Sequence, residues 1–441
     1  MMKLCYKSIR RALKRIAMTA LLAWEWLESG VTFDLSSDAV RADPYATYER
    51  LRRKDPVHYS RLAGGWVLTR YEDAQAVLID HHRFSNMQGR SDYGQDASML
   101  DLDPPDHTRL RSLVSKAFTP RTVAQQEPRV QQIVDELLEA AGEQDHLDLI
   151  EVLAFPLPVI VIAEMIGVPT EDLEQFKEWS NAIVLSLEPA RSDEQVRRFR
   201  RASEELYEYF EGIIAQRREA PKDDLISALL EAENEGDKLS HLELLATLEL
   251  LLVAGNETTR NLIGNGMLAL LRNPHEMERL REDPSLLDTA IDELLRYDSP
   301  VQLDGRHLLE DVEIGGKQLR AGAQVVAAVG AANRDPVAFS NPGKLDVGRK
   351  EKSHISFGRG IHFCLGAPLA LLEARIAFST ILKSFSTIRL SAEPEYRPQV
   401  VLRGVEALWV QVEWAAELAP SAAVETHTVE RDGSLLDIQS E

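Results

Sequence analysis

The chain has few cysteines and no long apolar run, and each scarcity excludes a class of protein. Only two of its 441 residues are cysteine, so a disulfide framework is excluded and a reducing cytoplasm is the simplest location. The sequence lacks the run of about 20 apolar residues that a membrane-spanning helix needs. Acidic residues outnumber basic ones and the net charge is −21, so the surface as a whole will not attract nucleic acid.

The rest of the composition suits one large packed unit. Hydrophobic residues make up 44% of the chain and charged residues 27%, and neither repeats nor a linker divide the middle. We therefore predict a mainly α fold with minor β structure, a single domain over residues 31–414. Segments with apolar residues at helical spacing predict helices, and short strand-like runs accompany them: helices over 130–141, 193–218 and 240–272, strands over 66–69, 324–328 and 407–413.

The two ends differ from this middle part. Residues 1–30 predict a basic amphipathic helix, because apolar side chains recur at helical spacing and the first acidic residue is Glu25. Such a helix fits two arrangements: weak contact with a membrane surface through residues 1–29, or packing against the body of the protein. Residues 415–441 are acidic and weakly apolar, which predicts a disordered tail. The basic residues that precede Glu25 are Lys3, Lys7, Arg10, Arg11, Lys14 and Arg15.

One cysteine, Cys364, lies in the glycine-rich segment FGRGIHFCLG at residues 357–366, directly before a predicted helix over 367–384. Amide groups at a helix start carry partial positive charge, which stabilises a thiolate. A single thiolate with an open position opposite is one way in which proteins hold haem iron, and this ligand favours O–O cleavage. Two other interpretations stay open: a buried structural cysteine, or a zinc ligand or nucleophile. Zinc needs further ligands at set spacings, and the other cysteine is the distant Cys5.

The neighbours of Cys364 fit a flat macrocycle. Gly358, Gly360 and Gly366 lack side chains where the backbone would approach such a group closely. Phe357 is placed to cover the sulfur and keep water from it, and His362 is placed to reach a haem carboxylate. The segment therefore favours a haem-thiolate loop over a structural cysteine.

A polar segment, AGNETT at residues 254–259, interrupts the longest predicted helix. Ser240 begins this helix, and Glu243 completes a capping box. Buried Glu and Thr side chains are costly without partners, so their grouping in a core helix indicates a functional site. The alternative is structural, because threonine hydroxyls often bond back to a carbonyl of the preceding turn.

The cysteine segment resembles the haem-binding signature of the cytochrome P450 family and matches it at every defining position. The resemblance extends over roughly residues 33–413 and is closest to the soluble bacterial branch. It implies a P450-type domain built around a long central helix and a haem-thiolate loop. It also implies that the cofactor is haem b and that Cys364 is its iron ligand.

The polar segment is similar to the polar part of the central helix in the same family. The resemblance implies that Ala254 and Gly255 lie at the haem. It implies further that Thr258 hydrogen-bonds iron-bound dioxygen and that Glu257 helps to relay protons, since an acid next to an alcohol can deliver them.

Basic side chains are expected at the haem edge. His107 and Arg111 are four residues apart in a predicted helix, so they share a face that suits one haem propionate. Asp103 is the predicted cap of that helix. The resemblance places Arg306 at the second propionate.

A further pair, Glu293 and Arg296, lies three residues apart on one helical face. The resemblance implies a structural role for this pair around the cysteine loop, completed by a second arginine. Arg334 is our first choice for that arginine, and Arg349 is the second.

These expectations combine into one predicted activity. The protein would be a monooxygenase that uses O2 to hydroxylate a hydrophobic small molecule of steroid, terpenoid, fatty acid or polyketide type. Electrons would come from NAD(P)H through a separate ferredoxin and ferredoxin reductase, with Arg109, Lys116 and Arg121 as a docking rim. Two alternatives stay open: a peroxide-driven haem-thiolate enzyme, and a non-enzymatic haem-binding sensor. The segments expected to enclose the substrate are 84–100, 181–188, 248–251 and 300–303.

Overall fold

A computed structural model describes residues 2–34, 37–87, 98–142, 144–169, 172–189, 191–234 and 239–416, with side chains described from Ile16 onward. Helices dominate these residues, and the prediction of a single, mainly α domain with minor β structure is confirmed. The predicted tail lies almost entirely outside the described residues, and so does much of the first predicted substrate segment, at 88–97.

The helices are, in chain order, α1 Met2–Ser29, α2 Asp38–Ala42, α3 Tyr45–Lys54, α4 Tyr71–Ile79, α5 Asp106–Val114, α6 Pro120–Ala124, α7 Glu127–Ala140, α8 Pro156–Ile166, α9 Leu173–Ile183, α10 Asp193–Glu219, α11 Leu225–Asn234, α12 His241–Arg272, α13 Pro274–Glu282, α14 Leu287–Tyr297, α15 Val329–Ala332 and α16 Ala367–Ser384. The strands are β1 Val57–Ser60, β2 Gly65–Leu68, β3 Phe84–Ser85, β4 His146–Asp148, β5 Asp304–Leu308, β6 Val312–Ile314, β7 Lys317–Leu319, β8 Gln324–Ala327, β9 Phe385–Leu390 and β10 Trp409–Trp414.

The strands form small sheets at the edge of the helical body. The largest sheet has the order β1-β2-β8-β5-β3, with β2 and β8 parallel and the other neighbouring pairs antiparallel. A second sheet has the order β4-β10-β9, and β6 pairs with β7. The main hydrophobic core lies among the helices instead, and α12 runs through it.

Helix α12 is buried on nearly every side, as its apolar sequence predicts. The Ser240 hydroxyl accepts from the Glu243 amide, and the Glu243 carboxylate accepts from the Ser240 amide at 2.8 Å, so the predicted capping box is confirmed. Gly266 lets α12 pack closely, because a Cβ there would lie 2.6 Å from the Phe378 ring of α16. The helix that carries the polar segment is therefore held directly against the helix that follows the cysteine loop.

Helix α5 begins later than predicted. It starts at Asp106, and the Asp103 carboxylate makes no cap for it. That carboxylate instead accepts hydrogen bonds from the Ser85 hydroxyl and from the Asn86 amide at 3.1 Å. The prediction of Asp103 as the helix cap is therefore wrong, because its side chain satisfies donors at the end of β3, a contact that the local pattern does not contain.

Helix α1 joins the body at its C-terminal end. The buried Glu25 carboxylate accepts from the Phe33 amide at 2.5 Å and the Arg61 amide at 2.9 Å, and it lies 2.8 Å from His58 Nε2. On its other side, His58 Nδ1 lies 3.0 Å from the Asp55 carboxylate. Among the described residues, no helix combines the length and the apolarity needed to cross a membrane.

Candidate functional site

Cys364 lies between a tight loop and the first turn of α16. Its amide donates to the Phe357 carbonyl at 2.8 Å, which closes the loop. Partial burial raises the pKa of the thiol above its ordinary value, whereas the Gly366 and Ala367 amides, which bond the sulfur, and the charge of Arg111 lower the same pKa. Two amide donors and the Arg111 cation therefore act on a single sulfur, which suits a metal-bound thiolate.

The loop glycines are required by the backbone. Gly358 and Gly360 both have φ of +70°, a region that side-chain-bearing residues avoid. A Cβ at Gly360 would also lie 2.7 Å from the carbonyl oxygen of Leu78, at the end of α4. Among the described residues, no group of three or more His, Cys, Asp or Glu is placed to hold a metal ion, so the zinc interpretation of Cys364 has no partner ligands there.

The predicted haem-edge residues come together beside the loop. The His107 and His362 rings lie 4.2 Å apart between centroids, and each histidine has a buried ring nitrogen that finds no hydrogen-bond partner among the described residues. Burial, together with the positive charges of His107, Arg306 and Arg111, lowers the pKa of His362 to about 3. Unpartnered nitrogens beside two guanidinium groups suit the carboxylates of a haem.

The two arginines at this edge are held by the protein itself. Arg111 donates to the Phe363 carbonyl at 2.6 Å, next to the cysteine. Arg306 is buried, and it bonds the Asp304 carboxylate and the Gly305 carbonyl. These contacts fix both side chains near His362, and the residues present therefore fit the propionate end of a haem.

In the polar segment of α12, Thr258 and Glu257 make hydrogen bonds to different partners. The Thr258 hydroxyl donates to the Ala254 carbonyl at 2.8 Å, so the back-bonded arrangement left open by the sequence is present. Glu257 is buried and turns to Arg397, whose Nη1 lies 2.5 Å from the carboxylate Oε2. The partly exposed Gly255 packs on Ile162 of α8. The acid and the alcohol are thus adjacent in sequence but have separate partners.

Arg397 is the residue that sequence reasoning missed. Its second nitrogen, Nη2, donates to the Asn181 side chain at 2.6 Å, so one guanidinium joins Glu257 of α12 to α9. A nearby contact ties the same regions together, since the Glu188 carboxylate accepts from the Val400 and Val401 amides at 3.0 to 3.1 Å. The predicted substrate segment 181–188 and the polar part of α12 are therefore joined through residues 397–401.

The other predicted substrate segments contribute unevenly. Leu248 is fully buried in the core and Leu251 nearly so, whereas Leu250 is partly exposed. Val301 is partly exposed and Leu303 is buried. A substrate would therefore contact only some positions of each segment.

The predicted structural pair is confirmed as a buried ion pair, with a different third member. Glu293 Oε2 lies 2.6 Å from Arg296 Nε and 2.8 Å from Arg349 Nε, and all three side chains are buried. Arg334 donates instead to the Tyr297 carbonyl at 2.6 and 2.9 Å. The prediction of Arg334 was wrong because its guanidinium satisfies a carbonyl at the end of α14, one of the groups that a helix leaves unpaired.

The predicted docking rim is only partly available. Arg109 Nη2 lies 2.5 Å from the Glu243 carboxylate and 3.0 Å from that of Asp106, so its charge is already neutralised. Lys116 and Arg121 are exposed. A partner protein would therefore meet two of the three proposed cations.

Comparisons with known proteins agree on one family. The sequence model described as Cytochrome P450 matches residues 63–405. The chain is 43% identical to cytochrome P450 107B1 of Saccharopolyspora erythraea, over 85% of this chain and 96% of the relative. It is 42% identical to the polyketide biosynthesis cytochrome P450 PksS of Bacillus subtilis, over 84% and 96%. The crystal structure of CYP109E1 from Bacillus megaterium in complex with testosterone superposes with a TM-score of 0.81 at 38% identity, over 85% of this chain and 99% of that one. The sequence match and the fold agree, and the chain belongs to the cytochrome P450 family of haem-thiolate monooxygenases.

Proposed function

We propose that this enzyme uses O2 to hydroxylate a hydrophobic small molecule, with electrons supplied by separate redox proteins. The observation that carries the proposal is the pairing of two helices: α16 places the Cys364 sulfur, and α12, packed against it, carries Glu257 and Thr258. When bound, a thiolate-ligated haem b activates dioxygen for insertion into a C–H bond. The protein's part is to hold that group, exclude water and supply protons.

Each residue of the site has its own role in holding the haem or the oxygen. Cys364 would ligate the iron, with Phe357 beside it. His107, Arg111, Arg306 and His362 would hold the two carboxylates. Ala254 and Gly255 present little side-chain bulk where the flat ring needs room, and the Thr258 hydroxyl, which donates to the Ala254 carbonyl, would hold a proton at the oxygen-binding face.

The proposed substrate is apolar, of steroid, terpenoid, fatty acid or polyketide type. Support comes from the apolar side chains of α12 around the polar segment and from Val301. The name of one relative refers to polyketide biosynthesis, and one similar structure holds testosterone. The proposed donors are a ferredoxin and a ferredoxin reductase, which would approach exposed Lys116 and Arg121. Two cysteines in the whole chain support a cytoplasmic location.

A second candidate function is peroxide-driven oxidation. The observation that favours it is the Glu257 carboxylate, which faces Arg397 and not the Thr258 hydroxyl. A peroxide-driven enzyme needs no proton relay to cleave O2. Product formation with hydrogen peroxide alone, and none with NADPH, ferredoxin and reductase, would favour this second function over the first.

Replacing Thr258 by Ala should uncouple oxygen consumption from product formation. The hydroxyl would be lost where protons must be delivered, and positioned proton transfer typically contributes at least about a hundredfold. We expect product formed per O2 consumed to fall about tenfold or more, with NADPH oxidation continuing. The measurement is the ratio of product to O2 with a hydroxylated test substrate.

Thr258→Ser is the matched control, because it keeps the hydroxyl. The serine variant should retain most of the coupling. Full coupling in the alanine variant would contradict a proton-holding role for Thr258, and would leave haem binding through Cys364 untouched.

Replacing Arg397 by Ala should also lower coupling, by an indirect route. Arg397 is a positioning residue: it fixes the buried Glu257 carboxylate and connects it to Asn181. Without it, the carboxylate loses its nearest cation and its orientation, and only Arg260 remains, 3.9 Å away. We expect product per O2 to fall about tenfold, and the pH profile of coupling to change.

Two further variants separate this role from general damage. Arg397→Lys keeps the positive charge and should restore most of the coupling. Asn181→Ala removes the second contact only and should have a smaller effect. An alanine variant with unchanged coupling and an unchanged pH profile would show that Arg397 merely supports the fold.

A further inference from the structure

Helix α1 turns an apolar face to solvent. From Ile16 to Leu27 every position on the outer side of the helix is exposed, and most of these residues are apolar. Ile16 is 66% exposed, Trp26 59% and Leu27 75%, values far above those of apolar residues packed on a protein surface. Trp24 is 55% exposed as well, although its ring lies 4.1 Å from the Arg61 guanidinium, whereas Leu21 shares a face with Glu25 four residues on. We call Ile16, Trp24, Trp26 and Leu27 the outer face of α1.

The outer face is fixed in its orientation. Glu25 lies on the opposite side of the helix and is 1% exposed. Its carboxylate is bonded by the Phe33 and Arg61 amides and by His58, so rotating α1 to bury the outer face would break three hydrogen bonds to a buried charge. Helix α1 therefore packs on the body through the side that carries Glu25, and its outer face stays exposed.

Charge indicates what covers the outer face. The chain as a whole carries a net charge of −21, yet the part of α1 before Glu25 has six basic residues and no acidic one. Cations followed by exposed Trp, Leu and Ile in one helix are typical of helices that lie in the plane of an anionic bilayer. Tryptophan in particular prefers the boundary between headgroups and acyl chains.

We propose that α1 binds anionic lipid surfaces and holds the enzyme at the membrane. Trp26, Leu27 and Ile16 would enter the headgroup boundary, and the basic composition of residues 3–15 would add attraction to lipid phosphates. The anchored Glu25 would transmit this attachment to the catalytic domain, since it ties the helix to β1 through His58. The proposal does not depend on the reaction that the enzyme catalyses.

A second copy of the chain is a poorer occupant of this face. Parallel pairing of two α1 helices would bring six cations against six cations, and antiparallel pairing would place each basic half against the apolar half of its partner. Neither arrangement offers an unpaired acidic partner, because Glu25 is buried and the Glu28 carboxylate already lies 2.6 Å from Arg61 Nη2. An anionic lipid surface offers phosphates to the basic half of α1 and an apolar interior to its other half.

The test uses the full-length holoenzyme and two kinds of vesicle, phosphatidylcholine alone and phosphatidylcholine mixed with phosphatidylglycerol. We expect co-sedimentation with the mixed vesicles, weakened by added salt, and little with phosphatidylcholine. The double variant Trp26→Ser/Leu27→Ser should bind about tenfold less tightly or weaker still. Each neutralised cation, as in Lys7→Gln or Arg11→Gln, should cost about fivefold at low salt.

The matched control is Val337→Ser, which removes another strongly exposed apolar side chain far from α1 in the sequence. It should bind like the wild-type protein, and all variants should keep the same haem spectrum. Failure of the wild-type protein to bind the mixed vesicles would overturn the proposal, as would equal binding by the double variant. A concentration-dependent dimer without lipid that the double variant loses would overturn it as well, in favour of a second copy.

Discussion

Replacing Cys364 by His should abolish monooxygenase activity and remove the red-shifted Soret band that thiolate ligation gives the reduced, carbon monoxide-treated enzyme. The Gly366 and Ala367 amides and the charge of Arg111 act on one sulfur, and an imidazole there would be a neutral ligand. The thiolate is the ligand that favours O–O cleavage, so we expect activity to fall by at least about a thousandfold. The absorption spectrum and product formation are measured on the same preparation.

The other cysteine of the chain provides the matched control. Cys5→Ser should leave the spectrum and the activity unchanged, since Cys5 lies far outside the segment that matches the family. Retention of the thiolate band by the Cys364→His variant would refute ligation by this sulfur. If that variant lost its haem but kept a normal circular dichroism spectrum, ligation by Cys364 would still be supported. The protein would then be folded, and only the group that holds the haem would be missing.

The local parts of this site were predictable from sequence. The bounds of α16 match the prediction at both ends, and the Ser240 capping box forms as its spacing implies. Both depend on residues within a few positions of each other, so the chain itself holds the information. The cysteine loop is similar: Gly358 and Gly360 adopt the positive φ that their identity favours.

The long-range parts were not predictable. Arg397 meets Glu257 across 140 positions of sequence, and Arg349 meets Glu293 across 56. No helical or strand period connects such residues, and an arginine in a loop carries no sign of its partner. Arg334 was preferred over Arg349 as the third member of the cluster, yet its guanidinium donates to the Tyr297 carbonyl at the end of α14. Asp103 failed as a cap for the same reason, since its partners are Ser85 at the end of β3 and the neighbouring Asn86.

The choice between the two arginines gives the second large prediction. Glu293 holds both Arg296 and Arg349 in a buried cluster, and its Oε1 also accepts from the Asp346 amide at 3.0 Å. Arg349 in turn donates to the Ser340 carbonyl at 2.7 Å. Removing Arg349 leaves Glu293 paired with Arg296 but deletes the hydrogen bonds of the buried Arg349 guanidinium, and a hydrogen bond that involves a charged group typically contributes about 1.5–3 kcal/mol.

Arg349→Ala should therefore lower the free energy of unfolding by about 1.5–3 kcal/mol, measured by urea denaturation of the holoenzyme. Arg334→Ala should also destabilise the protein, since the Arg334 guanidinium lies 3.5 Å from the centre of the Tyr45 ring. The two stability losses alone therefore do not show which arginine interacts with Glu293. A double-mutant cycle with Glu293→Gln makes that distinction. Arg349 and Glu293 should couple by about 1–3 kcal/mol because they touch, whereas Arg334 and Glu293 should couple by less than about 0.5 kcal/mol. The reverse ranking of the two coupling energies would show that Arg334 completes the cluster after all.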